Sequence, residues 1–210
     1  MTATNPLLQA FDLPPYSAIR PEHVEPAVEQ ILADNRAAMS HLLEQQAADP
    51  SWDGLVLALD ELGARLGRAW SPVSHLNAVC NSAELRAAYE ACLPKLSEYW
   101  TEIGQNQPLF QAYQALAESP AAAGFDVAQK TILEHALRDF RLSGIDLPAE
   151  QQKRYGEIQM KLSELASKFS NQLLDATQAW TKHVTDEAAL DGLTDSAKAQ
   201  MKQAAEAKGL

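Results

Sequence analysis

Apolar residues recur at steps of three and four along most of this 210-residue chain, and no convincing stretch keeps the period of two that marks a half-buried strand. Val24, Val28, Ile31, Leu32, Met39, Leu42 and Leu43 predict a first helix from Glu22 to about Glu44, with Pro26 tolerated near its start. A second stretch begins near Ser51, where Leu55, Leu59, Leu62, Leu66, Ala69, Val73 and Leu76 form a narrow seam of the kind helix bundles bury. Leu85, Tyr89, Cys92, Leu96, Tyr99 and Ile103 predict a third helix. A short fourth opens at Pro108 and carries Leu109, Phe110, Tyr113 and Leu116, and in a fifth Ile132, Leu133, Leu137 and Phe140 face inward. The longest run follows. Tyr155, Ile158, Leu162, Leu165, Phe169, Leu173, Ala176 and Trp180 make one apolar stripe on a helix from Pro148 to near Thr185. A last helix covers about Thr194 to Lys208.

The punctuation agrees with this division. Ser82 suits an N-cap, and Asp126 with Gln129 suits a capping box, because both can satisfy backbone N–H groups that a helix start leaves free. Gly144 suits a left-handed C-terminal cap and Pro148 the first turn of the helix after it. Pro72 is expected to break or kink the second stretch and Pro94 to kink the third, since each removes a helix hydrogen bond. Residues 1–20, with Pro6, Pro14 and Pro15, are expected to be an extended segment pinned to the body by Phe11, Leu13 and Tyr16. Residues 21–210 then form the helical domain, whose short connections favour antiparallel neighbours. The predicted fold class is all-α, a multi-helix antiparallel bundle.

Composition narrows the partners. A formal charge of −11 with scattered basic residues argues against nucleic acid, which needs clustered Lys and Arg. No apolar run approaches the roughly 18 residues of a membrane span. The N-terminus lacks the basic start and apolar core of a secretory signal, and Cys80 and Cys92 read as reduced core filler rather than a disulfide framework. A cytoplasmic location is the expectation. Gly209 looks like a helix cap followed by a single Leu210, as though the chain stops where a new element would begin.

The sequence carries no recognisable catalytic arrangement. His23, His41, His75, His135 and His183 form no His-Glu-x-x-His pair, and none has a glutamate three residues before it. Each is read as a surface or capping residue. His75 and Cys80 are five apart, but two ligands alone make no metal site. Gly63 and Gly67 are read as close helix packing, and Asp60–Glu61 and Asp186–Glu187 as solvated faces. No catalytic, cofactor-binding or metal-binding residue is assigned to any position.

The strings themselves carry a resemblance. NPLL at Asn5–Leu8, IRPEHVEPAV at Ile19–Val28, LGRAWSPVSHLNAVCNSAELRAAYEACLPKL at Leu66–Leu96 and SELASKFSNQLLDAT at Ser163–Thr177 together resemble the N-terminal region of the thimet oligopeptidase and neurolysin family of zinc peptidases. The resemblance implies the N-terminal helical lobe of an all-helical, two-lobed endopeptidase whose channel admits short peptides. It also implies a zinc centre in a C-terminal catalytic domain that this chain lacks, so the expectation is an inactive N-terminal piece forming one wall of the channel. Trp70, His75, Tyr99 and Trp180 are then packing residues. An isolated lobe is expected to expose an apolar face and dimerise through it. The alternative reading is a free-standing helical interaction module without peptidase activity.

Overall fold

The computed structural model describes residues 5–210; the first four residues of the expected extended segment lie outside this range. Among the described residues there are seven α-helices and no strand. They are α1 (Pro21–Gln46), α2 (Ala58–Val79), α3 (Ala83–Gly104), α4 (Gln107–Glu118), α5 (Val127–Leu142), α6 (Ala149–Ala179) and α7 (Asp195–Ala207). The chain divides into two compact units, one reaching to Ser167 and one from Lys168 to Leu210. The boundary falls inside α6.

In the first unit, helix starts are held by the side chains whose chemistry suits them. Ser82 Oγ accepts the Leu85 N–H at 3.1 Å, and Asp126 and Gln129 exchange reciprocal bonds of 2.8 and 3.0 Å. Asn106 caps α4, which places Pro108 at the second helical position. Ser51 caps a six-residue π-helical stretch, Trp52–Leu57, that leads into α2. Gly144 ends α5 with φ +85°, and the Ile145 N–H reaches the Phe140 carbonyl at 3.1 Å, a left-handed cap closing the turn.

Two apolar cores result, and α1 serves both. Val24, Ala27, Val28, Ile31 and Leu32 pack with Leu66, Ala69 and Val73 of α2 and Leu85, Cys92, Leu96 and Tyr99 of α3. Further along α1, Met39 and Leu42 join Leu55 and Val56, the α4 residues Leu109, Phe110, Tyr113 and Leu116, and Leu133 and Phe140 of α5. Phe140 sits edge-on to both Phe110 and Tyr113, with ring centroids 5.6 Å apart in each pair.

Several expectations are corrected. Helices α2 and α3 run through Pro72 and Pro94, so the break expected as one alternative at Pro72 does not occur. Around Pro72, buried Ala69 and Val73 hold both sides of the turn in the core. The opening segment is pinned by Leu7 and Ile19, both buried, and by the Tyr16 ring against His75, while Leu13 is exposed. Two short 3-10 turns, Pro6–Leu8 and Tyr16–Ala18, interrupt its extended path, and the Asn5 amide donates to the His23 carbonyl at 2.8 Å. Ile132 is exposed because α5 packs chiefly on α4 and Leu133, one residue on, occupies that side. Cys92 is core, but Cys80 sits exposed at the end of α2.

The second unit is different in kind. Helix α6 ends at Ala179, short of the expected Thr185, and Trp180 beyond it is 73% exposed rather than packed. Thr194 caps α7, Gly209 closes it with φ +71°, and Lys208 donates to the Thr181 hydroxyl at 2.6 Å. No residue from Lys168 to Leu210 is fully buried. The contrast is measurable. Leu109→Ala is expected to cost about 2–5 kcal/mol by opening a core cavity, whereas Phe169→Ala costs about 0.5 kcal/mol or less, as for an exposed site. Urea denaturation of the purified variants checks this; equal losses would contradict the division into a packed and an unpacked unit.

Candidate functional site

Within the first unit, α2, α3 and the N-terminal half of α6 enclose an open groove of about 670 Å³. Its placement follows from local bonding at the α5–α6 turn. The Gln105 amide donates to the Ser143 carbonyl at 3.0 Å and Gln152 donates to the Ile145 carbonyl at 3.0 Å, tying the start of α6 to the end of α3. Gly104 makes the closest approach possible: a Cβ there would stand 2.6 Å from the Ser143 Cβ. Gly156 lies over Thr101 in ordinary contact distance. From this anchored point the part of α6 up to Ala166 runs alongside α2 and α3 across the groove.

The floor of the groove belongs to α2. Leu66 is buried beneath it, but Gly63 and Gly67, one residue beyond Leu62 and Leu66, rotate about 100° away from the core seam. A Cβ at either glycine would meet nothing within 4 Å. The expected close packing at these positions does not occur within this chain; they face open space. On the α3 side stand Ser97, Thr101 and Trp100, the last 52% exposed. On the α6 side stand Tyr155, Gln159 and Leu162, with Leu162 54% exposed. Trp70 borders the groove and stacks on Tyr89 at 4.7 Å, which agrees with its reading as a packing residue.

The chemistry of this lining is neutral. No carboxylate, histidine, lysine or arginine lines it, so its hydroxyls have no general base beside them in the groove. It is a surface for packing. Elsewhere, the histidines stay apart. His23 accepts the Arg20 N–H at the start of α1, His75 tilts against Tyr16 at 5.5 Å, and His41, His135 and His183 are exposed. Among the described residues no three His, Cys, Asp or Glu side chains come together as a metal-ligand group. The residues present therefore do not fit a zinc centre. Asp60, Glu61, Asp186 and Glu187 are exposed.

The titration shifts are structural. Burial pushes the Cys92 thiol up to about 11 and the Tyr113 phenol up to about 12. Burial also raises Tyr99, whose hydroxyl accepts from the Asn35 amide at 3.3 Å. The Arg65 guanidinium, 2.6 Å from Asp34, is the main cause holding that carboxyl below its usual range.

Helices arranged in this way form an all-α lobe with an uncharged groove on one side. The model for the N-terminal domain of the neurolysin and thimet oligopeptidase family matches residues 28–152, and the chain belongs to that family. Its relatives narrow the comparison. Oligopeptidase A of Haemophilus influenzae is 52% identical over 210 residues, which is all of this chain and 30% of that protein. Oligopeptidase A of Salmonella typhimurium is 54% identical over 205 residues, 98% of this chain and 30% of the relative. Dipeptidyl carboxypeptidase of the same organism is 27% identical over 212 residues, 99% of this chain and 31% of the relative. The chain thus spans about three-tenths of the length of the curated relatives it matches.

The two cysteines give a direct check on the packing around the groove's neighbour α3. A thiol reagent at pH 8 is expected to modify Cys80 in the native chain and to reach Cys92 only in denaturant, because burial both hides the latter and keeps it protonated. Two thiols reacting at equal rates without denaturant would contradict the core described for α1, α2 and α3.

Proposed function

We propose that this chain is the N-terminal helical region of a zinc-dependent oligopeptidase that degrades short peptides in the cytoplasm. The observation that carries this reading is the identity above one half with oligopeptidase A relatives along the whole chain. In this reading the helices α1–α5 are scaffold, and the unit forms one wall of the channel that admits short peptides and excludes folded proteins. The reaction belongs to residues outside this chain: a C-terminal catalytic domain holds the zinc. The dispersed histidines support that assignment, since they offer the metal no set of ligands here. No helix among the described residues is long and apolar enough to cross a membrane, in keeping with action on peptides in water.

The exposed apolar stripe of α6 gives weight to a partner surface as well. On its own the chain is expected to pair with a second copy through that stripe. The purified chain should therefore bind no stoichiometric zinc, leave a quenched short peptide intact, and rise toward twice its monomer mass with concentration in light scattering. The longer protein should cleave the same peptide and lose that activity to a chelator. Zinc-dependent turnover by the 210-residue chain alone would overturn the assignment of the chemistry. A monomer at every concentration would count against the pairing.

A further inference from the structure

We infer that the groove over Gly63 and Gly67 is the seat of an α-helix belonging to the part of the longer polypeptide that this chain does not contain. The inference rests on the reading of the chain as the N-terminal region of a longer peptidase. It begins with a cost that nothing in the unit offsets. Glycine inside a helix is unfavourable relative to alanine because it gives up more conformational freedom. Neither Gly63 nor Gly67 has the positive φ that would require it. Neither lies under another group of this chain, since a Cβ at either would enter open space. Two glycines one turn apart, unused by their own fold, are explained by something that approaches the α2 backbone from outside.

The surroundings specify the shape of what approaches. Ser97 and Thr101 of α3 are one turn apart, as the two glycines are, and Ser163 of α6 is also small. Small residues on the facing positions let helix axes come to the short end of the usual separation, with a ridge of larger side chains filling the space between. Trp100 and Leu162 stand exposed at the two rims, where they would close over such a ridge. The groove has helices for its walls, and no free sheet edge exists among the described residues, so an added strand would find no backbone partner. Its uncharged lining selects an apolar helix face rather than an acidic, basic or phosphorylated segment.

The length of chain outside decides the source. The matched relatives carry more than twice this chain's length beyond the shared portion, enough to supply the helix without a second protein. A second copy fits less well. Two-fold pairing sets the same patch against itself, and concave against concave leaves both glycine floors unfilled.

The test compares Gly63→Leu combined with Gly67→Leu in two contexts: this 210-residue chain and the longer protein that continues past Leu210. In the short chain the leucines point into open space and improve helix propensity, so Tm should stay level or rise by a few degrees. In the longer protein they should collide with the seated helix, lowering Tm by several degrees and peptide cleavage at least tenfold. Gly63→Ala with Gly67→Ala should give the same opposition of signs at smaller size, which guards against a leucine pair that fails to fold. A longer protein that tolerates both leucines as the short chain does would overturn the inference. So would a double variant whose only effect is on self-association, because the groove would then take a second copy. Wild-type longer protein without chelator-sensitive cleavage would defeat the proposed function, while the Tm comparison still judges the groove.

Discussion

The structure depends on one helix whose inner face is buried along most of its length. Helix α1 packs against α2 and α3 through its first half and against α4 through its second, so the two cores share a single rod. At the handover sits Asn35, completely buried, whose amide donates to the Leu62 carbonyl of α2 and to the Tyr99 hydroxyl of α3. Among the described residues its Oδ1 has no hydrogen-bond partner, an imperfection tolerated at the point where three helices must keep one register. Charged pairs on the outer edges reinforce the same contacts. Arg36 grips Glu102 with two bonds of 2.7 and 3.0 Å, and Lys95 reaches Glu25 and Glu29. Such exposed pairs contribute little individually, about 0–1 kcal/mol. The apolar burial of α1 dominates.

Helix α6 obeys a different constraint. Its start is fixed to α3 through Gln105, Ser143 and Gln152, yet none of its 31 residues is fully buried. An amphipathic stripe that stays exposed is a face awaiting a partner, because isolated apolar residues are ordinary but a periodic row of them is not. The proposed function accounts for the mismatch: the chain spans three-tenths of its relatives, and the remainder would cover such surfaces. The same reasoning makes sense of the neutral groove. On the proposed function, a channel wall needs shape at its seams more than it needs ionisable groups.

What was legible in the sequence was local. Ser82, Asp126 and Gly144 stand where their backbone chemistry predicts, and Leu55, Leu66, Ala69 and Val73 of the second seam and the four apolar residues of α4 are buried as their spacing requires. These features depend on neighbours three or four residues away. The misreadings concern what lies opposite. Trp180, Leu13 and Cys80 look like core by composition, but burial needs an element across from them and none is present. Gly63 and Gly67 were expected to mark close packing, which is a statement about a partner that spacing cannot supply. Their offset from the Leu62–Leu66 seam was available in the sequence and already placed them off the core face. The family was legible because whole strings carry it. The site was not, since no constellation of catalytic residues marks the groove.

The central claim is that this chain is a lobe whose open face is completed by the remainder of a longer peptidase. Mixing a Trp52→Phe, Trp70→Phe, Trp180→Phe form of the chain with a separately produced, tryptophan-free remainder and following Trp100 emission tests it most directly, because that indole stands half exposed at the groove. The account predicts a saturable one-to-one complex with a blue-shifted emission that iodide no longer quenches. Two polypeptides that stay apart, with emission and quenching unchanged at every ratio, would contradict it.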